Sequence, residues 1–133
     1  MFENARVSDN ARVGGNAQVH GNAQIYGYAW VLGNAQICED AQIYGNAWVR
    51  GSARVYGDAR VRENARVNGD ARVYGNARVY GDARVHGYAQ VSGGEVQGNA
   101  LVNGDAQISG NARVHGRTLV LSLIHISEPT RPY

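Results

Sequence analysis

The chain has 133 residues, of which 18 are glycine, one is phenylalanine, one is methionine and two are proline. This composition is typical of a repeat with small residues at its corners and argues against a globule with a core of large side chains. Thirteen arginines and eleven acidic residues leave a formal charge of +2, which does not favour a strongly basic nucleic-acid-binding chain.

From residue 2 to residue 120 the sequence repeats a six-residue unit, Gly-[Asn/Asp]-Ala-x-[Val/Ile]-x. The aliphatic position is filled in all twenty copies, and the alanine is present in eighteen. The alternation of Ala and Val or Ile with the variable x residues predicts a four-residue strand. The alanine and the aliphatic residue lie on one face of this strand and the x residues on the other. The glycine and the residue after it predict a two-residue corner, because both residue types tolerate the positive φ angles that a tight corner needs. One such strand cannot bury its own face, so successive coils must stack.

A longer period of eighteen residues is superimposed on the hexapeptide. Residues 22–33 match residues 40–51 at nine of twelve positions, and three of these matches exceed what the repeat itself requires: Gln24/Gln42, Tyr26/Tyr44 and Trp30/Trp48. Like residues eighteen apart are expected if side chains stack about 4.8 Å above one another on neighbouring coils. A recent duplication would leave the same pattern. The spacing predicts a triangular coil of about 18 residues, repeated six to seven times.

The repeat resembles the hexapeptide-repeat, left-handed parallel β-helix family. Its Gly-Asn-Ala-Arg-Val form is similar to uncharacterised bacterial and phage repeat proteins that are named as transferases. The resemblance covers residues 2–120 and implies an all-β, single-domain parallel β-helix whose coil is left-handed. In the family's common pattern glycine directly follows the aliphatic residue, whereas here it comes one position later.

Two kinds of irregularity interrupt the repeat. Glu3, Asp9, Glu39 and Glu63 stand where the corner glycine is expected. The unit at residues 92–96 is one residue short and lacks its alanine. The shortened unit predicts a local kink at Gly93 and Gly94 and no insertion loop.

The repeat ends after Val120. Residues 121–131 read LSLIHISEPTR, which resembles the translation of a transposase sequencing adapter. We therefore expect a repeat domain at residues 1–120 and a non-native tail at residues 121–133, with the native protein continuing differently. A genuine C-terminal segment is the alternative.

Candidate catalytic residues are scarce. Acyltransferases of the resembled family use a histidine as general base, and His20, His86 and His115 are the candidates here. Three repeats per coil place them on three different sides, so no catalytic residue is predicted. A zinc site like that of the family's γ-type carbonic anhydrases needs two histidines close together, but His86 and His115 lie 29 residues apart. Neither a metal nor a cofactor is expected.

The predicted interaction surface consists of six aromatic and arginine residues, namely Trp30, Trp48, Arg54, Tyr56, Arg72 and Tyr74. The stacked tryptophans, with Leu32 beside them, predict either an exposed contact patch or a ladder that stabilises the coil. Vertical arginine pairs beside tyrosines could bind phosphates or stack on bases. Neighbouring corner acids favour instead a solvated, charge-balanced surface.

These features favour a non-enzymatic scaffold or assembly module that presents flat sheet faces. The alternatives are an acyltransferase-like protein whose catalytic part is missing or lies at a subunit interface, and a polyanion-binding surface. We expect self-association, either by end-to-end stacking or as a trimer. The single cysteine, Cys38, and the lack of a leader or a long apolar run predict a cytoplasmic protein without a membrane segment.

Overall fold

The computed structural model describes residues 4–110, 112–117 and 119–120, together with the backbone of residues 125–126. In this part of the chain the sequence forms strands of two residues each, separated by short turns. The strands are β1 (Arg6–Val7), β2 (Arg12–Val13), β3 (Gln18–Val19), β4 (Gln24–Ile25), β5 (Trp30–Val31), β6 (Gln36–Ile37), β7 (Gln42–Ile43), β8 (Trp48–Val49), β9 (Arg54–Val55), β10 (Arg60–Val61), β11 (Arg66–Val67), β12 (Arg72–Val73), β13 (Arg78–Val79), β14 (Arg84–Val85), β15 (Gln90–Val91), β16 (Glu95–Val96), β17 (Leu101–Val102), β18 (Gln107–Ile108), β19 (Arg113–Val114), β20 (Leu119–Val120) and β21 (His125–Ile126).

Every third strand belongs to the same sheet, so the chain winds as a three-sided solenoid. Sheet A has the order β1-β4-β7-β10-β13-β16-β19, sheet B the order β2-β5-β8-β11-β14-β17-β20, and sheet C the order β3-β6-β9-β12-β15-β18-β21. Neighbouring strands are parallel and in register, as in the pairing of Val61 with Val79. The predicted all-β solenoid with about eighteen residues per coil is confirmed.

The core is a column of small aliphatic side chains along the solenoid axis. The Val or Ile of each strand from Val19 to Val120 is buried, and so is the alanine two residues earlier wherever it is present from Ala23 to Ala112. Val13 is 37% exposed, because the strands of the first coil have a described neighbour on one side only. The predicted inward face is therefore confirmed, with the open edge of the first coil as its exception.

The regular strands are shorter than the four residues that the alternation predicts. Only the outward residue and the following aliphatic residue form a strand. The backbone ladder nevertheless continues through the corners, where the Asn10 N–H donates to the Gly27 carbonyl at 2.9 Å. Within a corner the Ala35 N–H donates to the Leu32 carbonyl at 3.4 Å. Adjacent coils thus stay paired where the strand geometry ends.

A corner requires one positive φ angle, not two. The first corner residue adopts it, as at Gly33 with φ 69°, whereas the following Asn34 does not. Both residue types tolerate positive φ, but only the first corner residue uses it, because a single left-handed residue suffices to reverse the chain in this four-residue turn. Stacking is a second reason for glycine, since a Cβ at Gly51 would lie 2.9 Å from the Gly69 nitrogen of the next coil.

The acidic corner residues adopt the same left-handed conformation as the glycines they replace. Asp9, Glu39 and Glu63 have φ angles of 58°, 61° and 59°. The Gly27 N–H donates to Asp9 Oδ2 at 3.3 Å, and the Gly81 N–H donates to Glu63 Oε2 at 3.0 Å. A carboxylate at a corner therefore accepts a hydrogen bond from the corner directly above it, and this bond offsets part of the cost of the positive φ.

The shortened unit is absorbed with the ladder kept along its strands, although the corner N–H of Asn76 does not form the bond to the next coil that the N–H groups of Asp70 and Asp82 form. Gly94, with φ 74°, occupies the place of the missing alanine. The Arg78 N–H donates to its carbonyl at 3.0 Å, and the Tyr80 N–H donates to the Val96 carbonyl at 2.9 Å. Arg78 consequently pairs with Glu95, seventeen residues away, and no loop is inserted among the residues that are described here.

The segment after Val120 is described only at residues 125–126. Their backbone forms β21, which pairs with β18 and extends sheet C. The other residues of 121–133 lie outside the described part of the chain. The assignment of this segment as a non-native tail stays a prediction.

The double role of a corner glycine can be tested with Gly51→Ala. Alanine there meets both a φ of 68° and the backbone of Gly69, so we expect a loss of about 1–3 kcal/mol in the free energy of unfolding. The control is Gly14→Ala, whose Cβ would approach only the end of the flexible Leu32 side chain at 3.2 Å, and whose effect should stay within about 1 kcal/mol. Equal thermal unfolding midpoints for the two variants would contradict this account.

Candidate functional site

The structure distributes the six predicted surface residues over two walls. Trp30 and Trp48 lie in β5 and β8 of sheet B. Arg54 and Arg72 lie in β9 and β12 of sheet C, and a tyrosine, Tyr56 or Tyr74, directly follows each of these strands. The vertical pairing of like residues is confirmed, but the six residues do not form one continuous site.

The two tryptophans form the centre of a stacked column. Their rings are parallel within 2°, with centroids 5.1 Å apart. The Arg12 guanidinium lies 5.3 Å from the Trp30 centroid, and the Arg66 guanidinium lies 5.0 Å from the Trp48 centroid. Because each ring face is covered by the other ring or by a cation, the indoles offer mainly their edges to solvent.

This arrangement changes the interpretation of the aromatic patch. Trp30, Trp48 and Leu32 are half-buried, and a contact patch at this wall stays a prediction. The partial burial of the tryptophans follows from the register, which places a large side chain directly above and below each indole. The column matches the second interpretation, a ladder that stabilises adjacent coils.

The tyrosines at the corners stack in the same way. Tyr56 and Tyr74 have centroids 4.9 Å apart and planes 3° apart, and Tyr26 and Tyr44 have centroids 4.9 Å apart and planes 2° apart. Burial raises the pKa of Tyr56 and of Tyr26, and in each case the stacked tyrosine raises it further. No base fits between rings at this separation, so stacking of a nucleobase within either pair is excluded.

A polar cluster beside the shortened unit was not predicted from the sequence. The Tyr80 hydroxyl donates to Glu95 Oε2 at 3.3 Å, and Arg78 Nη1 lies 3.9 Å from Glu95 Oε1. The Arg62 guanidinium covers the Tyr80 ring at 4.4 Å. Burial, and then Glu95, raise the pKa of Tyr80. The missing residue is the signal that could have revealed the cluster, because it shifts Glu95 into the column of Arg78.

Six consecutive strands, β9 to β14, carry arginine at the outward position and place one vertical pair on each wall. The pairs are Arg54 with Arg72 in sheet C, Arg60 with Arg78 in sheet A, and Arg66 with Arg84 in sheet B. All six side chains are exposed. Between positions 50 and 85 there are eight arginines and four acidic residues, so this belt has a net charge of +4 although the whole chain has +2.

Each arginine pair lines a groove between its sheet and the preceding corner. The sheet-A groove has a volume of about 350 Å³ and the sheet-C groove about 280 Å³. The groove beside sheet B, which we term the sheet-B groove, has about 690 Å³. Its lining consists of Asn46, Trp48, Asn64, Arg66, Asp82, Arg84, Asn99, Ala100 and Leu101.

The histidines and the cysteine do not assemble into a site. His20 follows β3 in sheet C, His86 follows β14 in sheet B and His115 follows β19 in sheet A, so they are separated as the sequence predicts. Burial raises the pKa of the half-buried Cys38 thiol, and Glu39 raises it further. Among the described residues no group of three or more metal-ligating side chains is brought together.

The repeat of this chain is similar to that of a known protein family. A family model described as the YdcK beta solenoid repeat matches residues 5–21, 41–55, 71–87 and 106–120. The four segments come from all parts of the solenoid, and the chain is similar to that family in these segments. Neither the curated proteins nor the solved structures gave a significant match. No apolar helix of membrane-spanning length occurs among the residues described.

The tyrosine stacks predict a loss of stability at alkaline pH. Folding raises the pKa of Tyr26, Tyr56 and Tyr80. Their contribution to the free energy of unfolding is therefore present below the ordinary tyrosine pKa of about 10, and it is lost as the pH rises through their folded-state pKa values. Denaturant unfolding below and above that pH should show a smaller loss of unfolding free energy for a variant in which all three tyrosines are phenylalanine than for the unmodified chain. Tyr28→Phe, at an exposed corner, is the control and should behave like the unmodified chain. An identical pH dependence in all three proteins would contradict the prediction.

Proposed function

We propose that the chain is a non-enzymatic structural module, a rigid scaffold that assembles end to end. The observation that carries the proposal is a uniform aliphatic core whose three walls stay in register while their outward residues vary. Among the described residues, strands β1, β2 and β3 pair on one side only, with β4, β5 and β6. Val13 is 37% exposed, and Val7, Ala11 and Ala17 are only partly buried, although the equivalent positions higher in the solenoid are fully buried.

The parallel arrangement of the strands supports head-to-tail contact. Every coil has the same three-sided cross-section, and each pairs with the next in the same direction. The first coil of one copy could therefore pair with the last coil of another copy in the same way as neighbouring coils pair within one chain. Such a heterologous contact repeats without closing and gives linear assemblies.

The separation of core from surface supports a scaffold role. The core is built from the Ala and the Val or Ile of each unit, while the outward residues range from Gln to Trp without changing the register. A solenoid of this kind can hold chosen side chains at fixed intervals on three flat walls. We also infer a left-handed coil and a cytoplasmic location, supported by the resemblance of the repeat and by the use of a single cysteine.

An acyltransferase-like protein and a polyanion-binding surface are the two alternatives. Separation of His20, His86 and His115 on different walls means that an acyl-transfer site built from two of them would need a second subunit. The belt of paired arginines supports attraction of anions, while the corner acids beside it weaken attraction that depends on charge alone.

End-to-end assembly can be tested by sedimentation of the full chain over a range of concentrations. We expect the mean mass to increase with concentration, because open strand edges and exposed core residues are covered when coils stack. Val13→Arg should abolish this increase, since a charge would have to be buried at the contact. Gln36→Arg, on the wall of sheet C, is the control and should leave assembly unchanged. A trimer of fixed mass that tolerates Val13→Arg would refute end-to-end assembly.

A further inference from the structure

The sheet-B groove differs from the other two grooves in size. Its volume is about 690 Å³, roughly twice that of the sheet-A groove at about 350 Å³. In the sheet-A groove the two arginines face two carboxylates, Asp40 and Asp58. In the sheet-B groove Arg66 and Arg84 face only Asp82. A net positive charge therefore remains in the sheet-B groove, as it does in the smaller sheet-C groove, where Arg54 and Arg72 face only Asp70.

The floor of the sheet-B groove is partly preorganised. Arg66 lies in register between Trp48 on one side and Arg84 on the other. Its guanidinium is placed 5.0 Å from the Trp48 centroid, which limits its conformational freedom before any ligand binds. Arg84 has Leu101 as its next neighbour, so no acid in the strand column neutralises it. Two guanidiniums at coil spacing are thus available to carboxylates or sulfates.

The wall of the groove offers both donors and acceptors. Asn46, Asn64 and Asn99 present amides, each with an acceptor oxygen and a donor nitrogen, and Asp82 presents an acceptor only. All four corner side chains are exposed. A ligand that carried only anionic groups would be repelled by Asp82 and would leave the amide oxygens unused. A ligand with hydroxyl groups as well as anionic groups would use every part of the lining.

The spacing of the lining residues favours an extended, repeating ligand. Stacked side chains on adjacent coils lie 4.9–5.1 Å apart, as the tyrosine and tryptophan rings show. This interval is close to the length of one sugar residue in an extended polysaccharide chain. Two successive sugars along the solenoid axis would therefore each meet one arginine, Arg66 or Arg84, and one polar corner residue, Asn64 or Asp82.

We propose that the sheet-B groove binds an acidic oligosaccharide that lies along the solenoid axis. Arg66 and Arg84 bind the carboxylates of its uronic-acid residues. Asn64, Asp82 and Asn99 bind its hydroxyl groups. The half-buried edge of Trp48 closes one end of the groove. This binding is independent of end-to-end assembly, because the groove lies on a side wall and the open strand edges lie at the end of the solenoid.

The proposal is tested by calorimetric titration of the full chain with a tetramer of galacturonic acid. We expect saturable binding that weakens at least tenfold in Arg66→Gln and in Arg84→Gln, because each variant removes a charge-assisted hydrogen bond. Both variants should fold, since glutamine occupies the same outward position in β4 and β7. The matched controls are Arg54→Gln and Arg72→Gln, which remove the same charges from sheet C and should change the affinity less than threefold.

A second variant separates the sugar from a simple polyanion. Asp82→Ala should weaken galacturonate binding, because an acceptor for a hydroxyl group is lost. It should strengthen the binding of any ligand that is attracted by charge alone, because a repelling carboxylate is removed. Inorganic polyphosphate and neutral cellotetraose serve as comparison ligands, and both should bind more weakly than the galacturonate tetramer.

Three results would overturn the proposal. The first is no saturable binding of the galacturonate tetramer by the unmodified chain. The second is an equal loss of affinity in the sheet-B and sheet-C arginine variants, which would show diffuse electrostatic attraction. The third is preferential binding of polyphosphate that is strengthened by Asp82→Ala, which would show a polyanion surface. Sedimentation under the same conditions reports assembly separately, so failure of one proposal is distinguishable from failure of the other.

Discussion

The in-register backbone ladder between successive coils is the constraint on which the rest of the structure depends. In the regular coils that the structure describes, the N–H of each outward residue and of the second corner residue pairs with a carbonyl of the next coil, as Arg60 does with Ala77 and Asp58 with Gly75. Each residue therefore lies between the equivalent residues of the coils above and below it. The side chains of these equivalent residues are separated by about the spacing between strands. The buried column of Val, Ile and Ala, the aromatic stacks and the arginine pairs all follow from this one pairing rule.

The departures from the repeat show how strongly the ladder is maintained. Glu63 occupies a left-handed corner that glycine normally fills, yet its backbone keeps the same φ and its carboxylate bonds to Gly81. The unit with one residue missing keeps the ladder bonds of its strands because Gly94 takes the place of an alanine, and the bond it gives up is that of the Asn76 corner N–H. In both cases a local change is absorbed at a corner, where the chain has the most conformational freedom. The strands and the core remain in register.

The ladder also determines what each wall can do. Trp30 and Trp48 would be candidates for stacking on a ligand if they stood alone, but the register covers their faces with each other and with Arg12 and Arg66. Arginine placed on consecutive strands forms pairs on every wall, and the corner residues set how many carboxylates face each pair: two beside sheet A, and one each beside sheets B and C. Sheet B combines a single carboxylate, Asp82, with a groove of about 690 Å³, against about 280 Å³ beside sheet C. The proposed end-to-end contact would involve the ends of the solenoid and would leave this side wall accessible.

The sequence by itself determined the architecture, because period and alternation are local properties of the chain. The six-residue unit fixed the inward face, and the eighteen-residue match predicted that Gln24 lies beside Gln42 and Trp30 beside Trp48, as the register confirms. Only the tertiary structure decided which ring faces are covered, how the carboxylate of Asp9 reaches Gly27, and how the missing residue brings Glu95 to Arg78 and Tyr80. These contacts depend on side-chain conformations and on distances between coils, which a one-dimensional pattern does not contain. The difference between the three grooves has the same origin, since corner and strand residues become neighbours across a wall only when the coils stack.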